Sequence, residues 1–180
     1  MKNELLSKIR NKTLKVGVVG LGYVGLPLAV EKAKAGYETI GFDVQKTKVD
    51  MVNNGVNYIG DVVDNELKSI VERGMLKATS DFDFISEVDF VAICVPTPLD
   101  EYQQPDISFV KSSCEEISKR IKRGMVVVLE STTYPGTTEE LVKPILENGS
   151  RLVCGEDFYL GFSPERVDPG NLIYHTKNTP

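Results

Sequence analysis

Three stretches of this 180-residue chain hold residue types that do chemistry when a fold brings them together. The first is Gly20-Leu21-Gly22-Tyr23-Val24-Gly25, a G-x-G-x-x-G pattern. It ends a β-rich run and opens a segment with helical spacing, the context in which such a turn holds a dinucleotide pyrophosphate. There Gly20 permits the tight turn, Gly22 lets the backbone approach the phosphates, and Gly25 allows helix and sheet to pack closely, while the helix N-terminus offers N–H donors. Asp43 stands 18 residues beyond Gly25, close to the roughly 20 expected of the carboxylate that accepts hydrogen bonds from the adenosine ribose. A carboxylate there repels a 2′-phosphate, so NAD is expected over NADP; Lys46 and Lys48, just beyond it, soften the preference. The competing reading is an ordinary strand-to-helix turn with Asp43 as a cap, and the acidic partner at the expected spacing favours the dinucleotide.

The second stretch is a pair of loops. Val95-Pro96-Thr97-Pro98 and Ser131-Thr132-Thr133-Tyr134-Pro135-Gly136 each follow an apolar strand-like run. In a doubly wound sheet the carboxyl ends of the strands line the ligand crevice, so both loops are expected to face cofactor or substrate. Proline and Ser/Thr also end strands and cap helices; two such loops at one sheet edge, beside the glycine turn, favour function. The third stretch runs from Gly161 to Asn171 and carries Glu165 and Asp168, suited to acid/base work, and Arg166, suited to an anion. Charged turn residues are more often simply solvated. His175, the only histidine, has no partner in sequence and reads as a surface residue. Cys94, Cys114 and Cys154 are odd in number and lack C-x-x-C spacing, which argues against a disulfide framework or a zinc site. They read as reduced thiols, and no metal is expected.

The elements that must position these residues follow a regular rhythm. Strand-like runs fall at 15–20, 38–43, 76–79, 89–95, 125–130 and 158–162, and helical spacing at 23–34, 46–53, 66–73, 106–122 and 137–147. Thr137 is the expected N-cap of the last helix, with Glu140 three residues on. Alternation of this kind predicts an α/β fold: a Rossmann-like, doubly wound, mostly parallel sheet with helices on both faces. Residues 1–14 read as an N-terminal extension and 15–180 as the dinucleotide-binding domain. Hydrophobic residues at 41% and charged residues at 26% are those of an ordinary globular protein. A net charge of −5 makes nucleic acid or an anionic membrane a poor partner. No run approaches a membrane span and the first residues lack a signal-peptide core, so the expected compartment is the cytoplasm.

Four motifs in order carry a resemblance. They are Gly20-Leu21-Gly22-Tyr23-Val24-Gly25-Leu26-Pro27-Leu28-Ala29, Val95-Pro96-Thr97-Pro98, the run from Glu130 to Glu139, and Phe162-Ser163-Pro164-Glu165-Arg166. Together they resemble the N-terminal domain of the UDP-sugar 6-dehydrogenases of the UDP-glucose/GDP-mannose dehydrogenase family. The Ser-Thr-Thr-Tyr-Pro-Gly-Thr-Thr run and Ser-Pro-Glu-Arg before Asp-Pro-Gly-Asn are closer to the UDP-N-acetylglucosamine branch than to the UDP-glucose branch. The resemblance implies NAD-dependent oxidation of the sugar C6 alcohol to a carboxylate in two steps, through an aldehyde held on a cysteine thiol, with polysaccharide biosynthesis as its setting. It implies that Gly20, Leu21, Gly22, Tyr23, Val24 and Gly25 hold the pyrophosphate and Asp43 and Lys48 the adenosine ribose. Val95, Pro96, Thr97 and Ser131 would line the nicotinamide side, Thr132 would position a catalytic water while also bordering the cofactor, and Glu165 would act as acid/base in thioester hydrolysis.

Departures accompany the matches. Where the UDP-glucose branch has a second glutamate, four residues after the first, this chain has Pro169, with Asp168 beside it. The family nucleophile sits in a Gly-Gly-x-Cys context, with a catalytic lysine and a sugar-nucleotide domain. Cys94, Cys114 and Cys154 have no such context. The expectation is therefore the cofactor-binding half of a UDP-N-acetylhexosamine 6-dehydrogenase, binding NAD but not turning over alone, with a UDP-sugar as substrate and a homo-oligomer as the full-length state. A UDP-glucose 6-dehydrogenase, another nucleotide-sugar dehydrogenase and a stand-alone NAD-binding module are the alternatives.

Overall fold

The inner strands are short, largely buried runs covered on both faces, and the sheet is built around them. A computed structural model describes residues 1–99 and 101–164. The strands are β1 (Val16–Val19), β2 (Thr39–Phe42), β3 (Leu76–Thr79), β4 (Phe90–Ile93), β5 (Val126–Leu129) and β6 (Tyr159–Phe162). They form one sheet in the order β3-β2-β1-β4-β5-β6, with all five pairings parallel. This is the doubly wound order, with its switch point between β1 and β4. The central β1 and the adjoining β2 are buried throughout, whereas the edge strands β3 and β6 are partly exposed.

Helices α1 (Lys2–Arg10), α2 (Gly25–Lys34), α3 (Lys46–Asn53), α4 (Asp64–Glu72), α5 (Ser108–Ser118) and α6 (Lys143–Ser150) cover the sheet. Side chains alternate across a strand, so Val16 and Val18 of β1 pack with α2, α3 and α4, while Val19 packs on the other face with Val110, Cys114 and Ile117 of α5 and Leu146 of α6. Leu26, Ala29, Val30 and Ala33 supply the i, i+3, i+4, i+7 stripe that seats α2. Leu26 is fully buried, a position where truncation to alanine costs about 2–5 kcal/mol. Among the described residues no helix is long and apolar enough to cross a membrane.

The sheet is wholly parallel rather than mostly so, and several boundaries differ from the sequence reading. Residues 2–10, read only as part of an extension, form α1, anchored by Leu5 against the core and by Lys8 Nζ donating to Asp89 Oδ1 at 2.9 Å. A 3-10 segment at Phe82–Glu87 has no counterpart in the sequence reading; Asp81 caps it by accepting from the Asp83 N–H. The expected helix at 106–122 is shorter, since its chain turns at Arg120, whose N–H donates to Ile117 O. Thr137 is not an N-cap. Its hydroxyl donates to Tyr134 O at 2.8 Å and meets Thr133 Oγ1 at 2.7 Å, leaving Gly136, at φ 92°, to open a π-helical stretch over Thr137–Val142 before α6.

Candidate cofactor site

The glycine turn sits where β1 hands over to α2, and packing explains its composition. Gly20 takes φ +91°, and a Cβ there would meet Cys94 O at 2.8 Å. At Gly25 a Cβ would run into the carbonyl oxygen of Gly20, so only glycine lets α2 start this close to the strand. Gly22 is different: a Cβ built on it meets nothing within 4 Å. The first two glycines satisfy the fold, and the space at Gly22 faces a cleft. Leu21, between them, is wholly buried, with its side chain packed where Gly41 has no Cβ.

Asp43 lies just past β2, at the carboxyl edge, and is 7% exposed. Its Oδ2 accepts from the Leu21 N–H and its Oδ1 from the Gln45 N–H, both at 2.9 Å. Lys48 Nζ lies 3.7 Å from Oδ2. The carboxylate is thus fixed by backbone donors on the turn and on the start of α3. Each oxygen can accept a further hydrogen bond, which is what a ribose diol needs.

The two hydroxyl-rich loops meet each other. Ser131 Oγ donates to Val95 O at 2.7 Å and Thr97 Oγ1 donates to Thr132 O at 2.6 Å. Ser131 is 5% exposed; its hydroxyl laces the loop after β5 to the loop after β4. Between these loops and the glycine turn lies a cleft of about 380 Å³, bordered by Gly20, Gly22, Tyr23, Val24, Asp43, Lys48, Val95, Pro96, Thr97, Ser131 and Thr132. Leu21 and Gly25 stand beneath it and shape the turn. Cys94, read from the sequence only as a reduced thiol, and Glu130, named only as the start of a motif, also border it; each ends an apolar strand run, and that position was the available signal. A second, apolar slot of about 160 Å³ shares Gly20, Asp43 and Lys48 with the cleft and is walled by Val44, Phe82 and Phe109. Phe82 and Phe109 belong to no motif, so nothing in the sequence pointed to them.

Residues 14–180 match the profile of the UDP-glucose/GDP-mannose dehydrogenase family, NAD binding domain. The chain belongs to this family. It is 42% identical over 165 residues to a UDP-N-acetyl-D-glucosamine 6-dehydrogenase of Salmonella typhi, covering 92% of this chain and 38% of that protein. A Pseudomonas aeruginosa protein of the same name is 43% identical, over 89% of this chain and 37% of its own length. The crystal structure of an NDP-N-acetyl-D-galactosaminuronic acid dehydrogenase from Methanosarcina mazei superposes with a TM-score of 0.83 at 38% identity, covering 93% of this chain and 38% of that one. The chain thus spans less than two fifths of these relatives.

NAD is the cofactor of this family domain, and the residues present fit it. Gly22 leaves open space, Asp43 offers a fixed acceptor, and the N-terminus of α2 adds a positive dipole end for the pyrophosphate. The position after Asp43 is Val44, 80% exposed, so the immediately following residue supplies no cation for a 2′-phosphate, and Lys48, 3.7 Å from Oδ2, is the cation beside the carboxylate. Of the thiols, Cys94 is 6% exposed and Cys114 fully buried, with burial pushing the Cys114 thiol up to about 12. Cys154 stands at the amino end of β6, and burial raises it as well. Glu165, Arg166, Asp168, Pro169 and His175 lie outside the described residues.

Proposed function

We propose that this chain is the cofactor-binding part of an NAD-dependent dehydrogenase that oxidises the C6 alcohol of a UDP-N-acetylhexosamine, such as UDP-N-acetylglucosamine, to the uronate. The observation that carries the reading is the convergence on one cleft of the Gly22 cradle, the Asp43 carboxylate and the laced loops after β4 and β5. The N-acetylhexosamine is favoured by the names of the relatives at 42 and 43% identity. NAD, when bound, supplies the hydride acceptor. In this reading the turn from Gly20 to Gly25 holds the pyrophosphate, Asp43 the adenosine ribose with Lys48 beside it, and Val95, Pro96, Thr97 and Ser131 fix the nicotinamide face. Thr132, exposed at the cleft, positions water, and Glu165 exchanges protons with it.

Residues 15–180 form the working unit, with 1–14 as an appended segment. Leu99, Tyr134 and Phe162, exposed by 59, 42 and 49% on the loops and strand at the carboxyl edge, support docking of further chain there. A thiolate nucleophile is needed for the covalent aldehyde intermediate, and the burial of Cys114 together with the lack of a Gly-Gly-x-Cys context at Cys94, Cys114 and Cys154 supports the reading that this chain binds NAD without turning over. The whole enzyme works as a homo-oligomer on a UDP-sugar in the cytoplasm, within polysaccharide biosynthesis. Calorimetric titration of the chain with NAD and with NADP tests the cofactor half: NAD is expected to bind more tightly, and Asp43→Ala to remove the difference. No binding of either dinucleotide overturns it. Steady NADH formation from UDP-N-acetylglucosamine by the chain alone overturns the inactive-half reading.

A further inference from the structure

Tyr58 borders neither the cleft nor the apolar slot, yet its side chain reaches back to the glycine turn. Its phenol donates to the carbonyl of Leu21 at 2.8 Å. The Leu21 N–H is already held by Asp43 Oδ2 at 2.9 Å, so both backbone polar groups of this one residue are fixed by side chains from elsewhere in the chain. Leu21 O and the Gly22 N–H belong to the same peptide plane. In a trans peptide the two point in opposite directions, and no cis peptide is present among the described residues. Anchoring the carbonyl toward Tyr58 therefore aims the Gly22 N–H away from it, on the residue that borders the cleft.

The segment that carries Tyr58 is built to hold it still. Asn57 Nδ2 shares its two hydrogens among Ile59 O at 2.9 Å, Val62 O at 2.7 Å and Asp64 Oδ1 at 2.9 Å, and its Oδ1 accepts from the Ile59 N–H at 2.9 Å. Ile59 and Val62 are 5 and 6% exposed and anchor the loop in the core. We propose that Tyr58 is a positioning residue for the pyrophosphate-binding turn: its hydroxyl fixes the Leu21–Gly22 peptide in the orientation that presents the Gly22 N–H to the cofactor. This rests on the reading of the cleft as the NAD site. Burial first, and the charge of Asp43 second, raise the phenol above its ordinary value, so it stays a donor throughout the neutral range.

The test is Tyr58→Phe, which keeps the ring and removes only the donor. Amide hydrogen exchange at residues 21–24 is followed on the ligand-free chain, and NAD, ADP and AMP are titrated by calorimetry. Exchange at the turn is expected to quicken, and NAD and ADP, which carry a pyrophosphate, to bind about three- to tenfold more weakly, the size of one lost neutral hydrogen bond. AMP, which has none, is expected to bind as before, and the melting temperature to hold. Asn57→Ala, which keeps the hydroxyl but loosens its carrier, is expected to give the same changes in exchange and in NAD, ADP and AMP binding, with a lower melting temperature because its own hydrogen bonds are lost too. Unchanged exchange at the turn, or AMP weakening in step with NAD, overturns the proposal. Failure of the unaltered chain to bind NAD overturns the cofactor reading instead, and exchange at the turn then decides by itself whether Tyr58 positions it.

Discussion

Two aspartates, each nearly buried, stand at opposite ends of the same sheet and are held in opposite ways. Asp43, past the carboxyl end of β2, accepts from two backbone N–H groups and has one lysine at 3.7 Å. Asp89, just before β4 at the amino end, accepts from Lys8 Nζ at 2.9 Å and the Lys15 N–H at 3.1 Å, with Lys122 Nζ at 3.6 Å. One carboxylate is fixed in place with its charge poorly neutralised and faces an open cleft. The other is surrounded by cations from α1 and from the turn after α5. The amino end uses its buried charge to close the fold, and the carboxyl end leaves it facing the cleft.

The largest effects come from separating the glycines that fold the turn from the one that faces the cleft. Gly25→Ala is expected to unfold the start of α2 or shift it off β1, with a large drop in melting temperature and no measurable NAD binding, because the new Cβ has backbone in its way. Gly22→Ala is expected to melt within a degree or two of the parent while NAD affinity falls more than tenfold, because its Cβ enters only open space where the cofactor must come. Differential scanning calorimetry beside NAD titration reads both. Equal losses of stability in the two variants would erase the distinction.

Next in size is the exchange of roles between the aspartates. Asp43→Ala is expected to lower NAD affinity about 10- to 100-fold, the scale of hydrogen bonds to a charged group. Asp89→Ala is expected to leave NAD affinity unchanged and to cost about 1–3 kcal/mol of stability, since it strands the part-buried Lys15 N–H and removes the carboxylate that Lys8 and Lys122, both partly exposed, share. Urea unfolding of both variants, with and without NAD, checks the crossover. The same knot sets an acid limit. Burial opposes ionisation of Asp89, but the hydrogen bond from Lys8, that from the Lys15 N–H and the charge of Lys122 outweigh it and lower its pKa below the ordinary 3.8. A group lowered in the folded state contributes stability above its unfolded pKa and loses it as pH falls through the folded one. The chain is expected to lose stability progressively below about pH 4, and Asp89→Asn to be less stable at neutral pH but to flatten that acid limb in melts run from pH 6 to pH 3.

The same contrast separates what could be read in the sequence from what could not. The cleft end was legible: Gly20, Gly22, Gly25 and Asp43 form a spaced pattern, and the loops after β4 and β5 announce themselves by proline and hydroxyl residues after apolar runs. Strands β1, β4 and β5 were legible as near-continuous apolar stretches. The amino end was not. Helix α1 has no fully buried residue of its own and is held by Leu5 against the core, by the Tyr37 hydroxyl donating to Ile9 O and by Lys8 reaching Asp89, 81 positions away, and no local pattern reports such long-range partners. Within the site, Ser131 and Thr97 were legible as polar groups near a ligand, but their bonds to Val95 O and Thr132 O depend on how two loops meet in space. The Thr137 cap failed for a related reason, because the Tyr134 carbonyl and the Thr133 hydroxyl claim the side chain that would have capped.

The smallest expected effect sharpens the comparison most, because it alters a lysine at each end. Lys48 is partly exposed and sits 3.7 Å from Asp43, a distance and setting in which an ion pair contributes about 0–1 kcal/mol. Lys48→Ala is therefore expected to change NAD affinity by no more than about threefold. Its effect on NADP is expected to be larger, since its cation, 3.7 Å from the carboxylate proposed to bind the ribose, would offset repulsion of a 2′-phosphate. The ratio of NAD to NADP affinity should rise. Lys8→Ala, at the other end, is expected to leave both dinucleotides untouched and to lower stability by about 1 kcal/mol, because it removes one of several donors to Asp89 and loosens α1. If Lys8→Ala altered the NAD to NADP ratio, or Lys48→Ala altered only stability, the two ends of the sheet would be coupled rather than divided in their tasks.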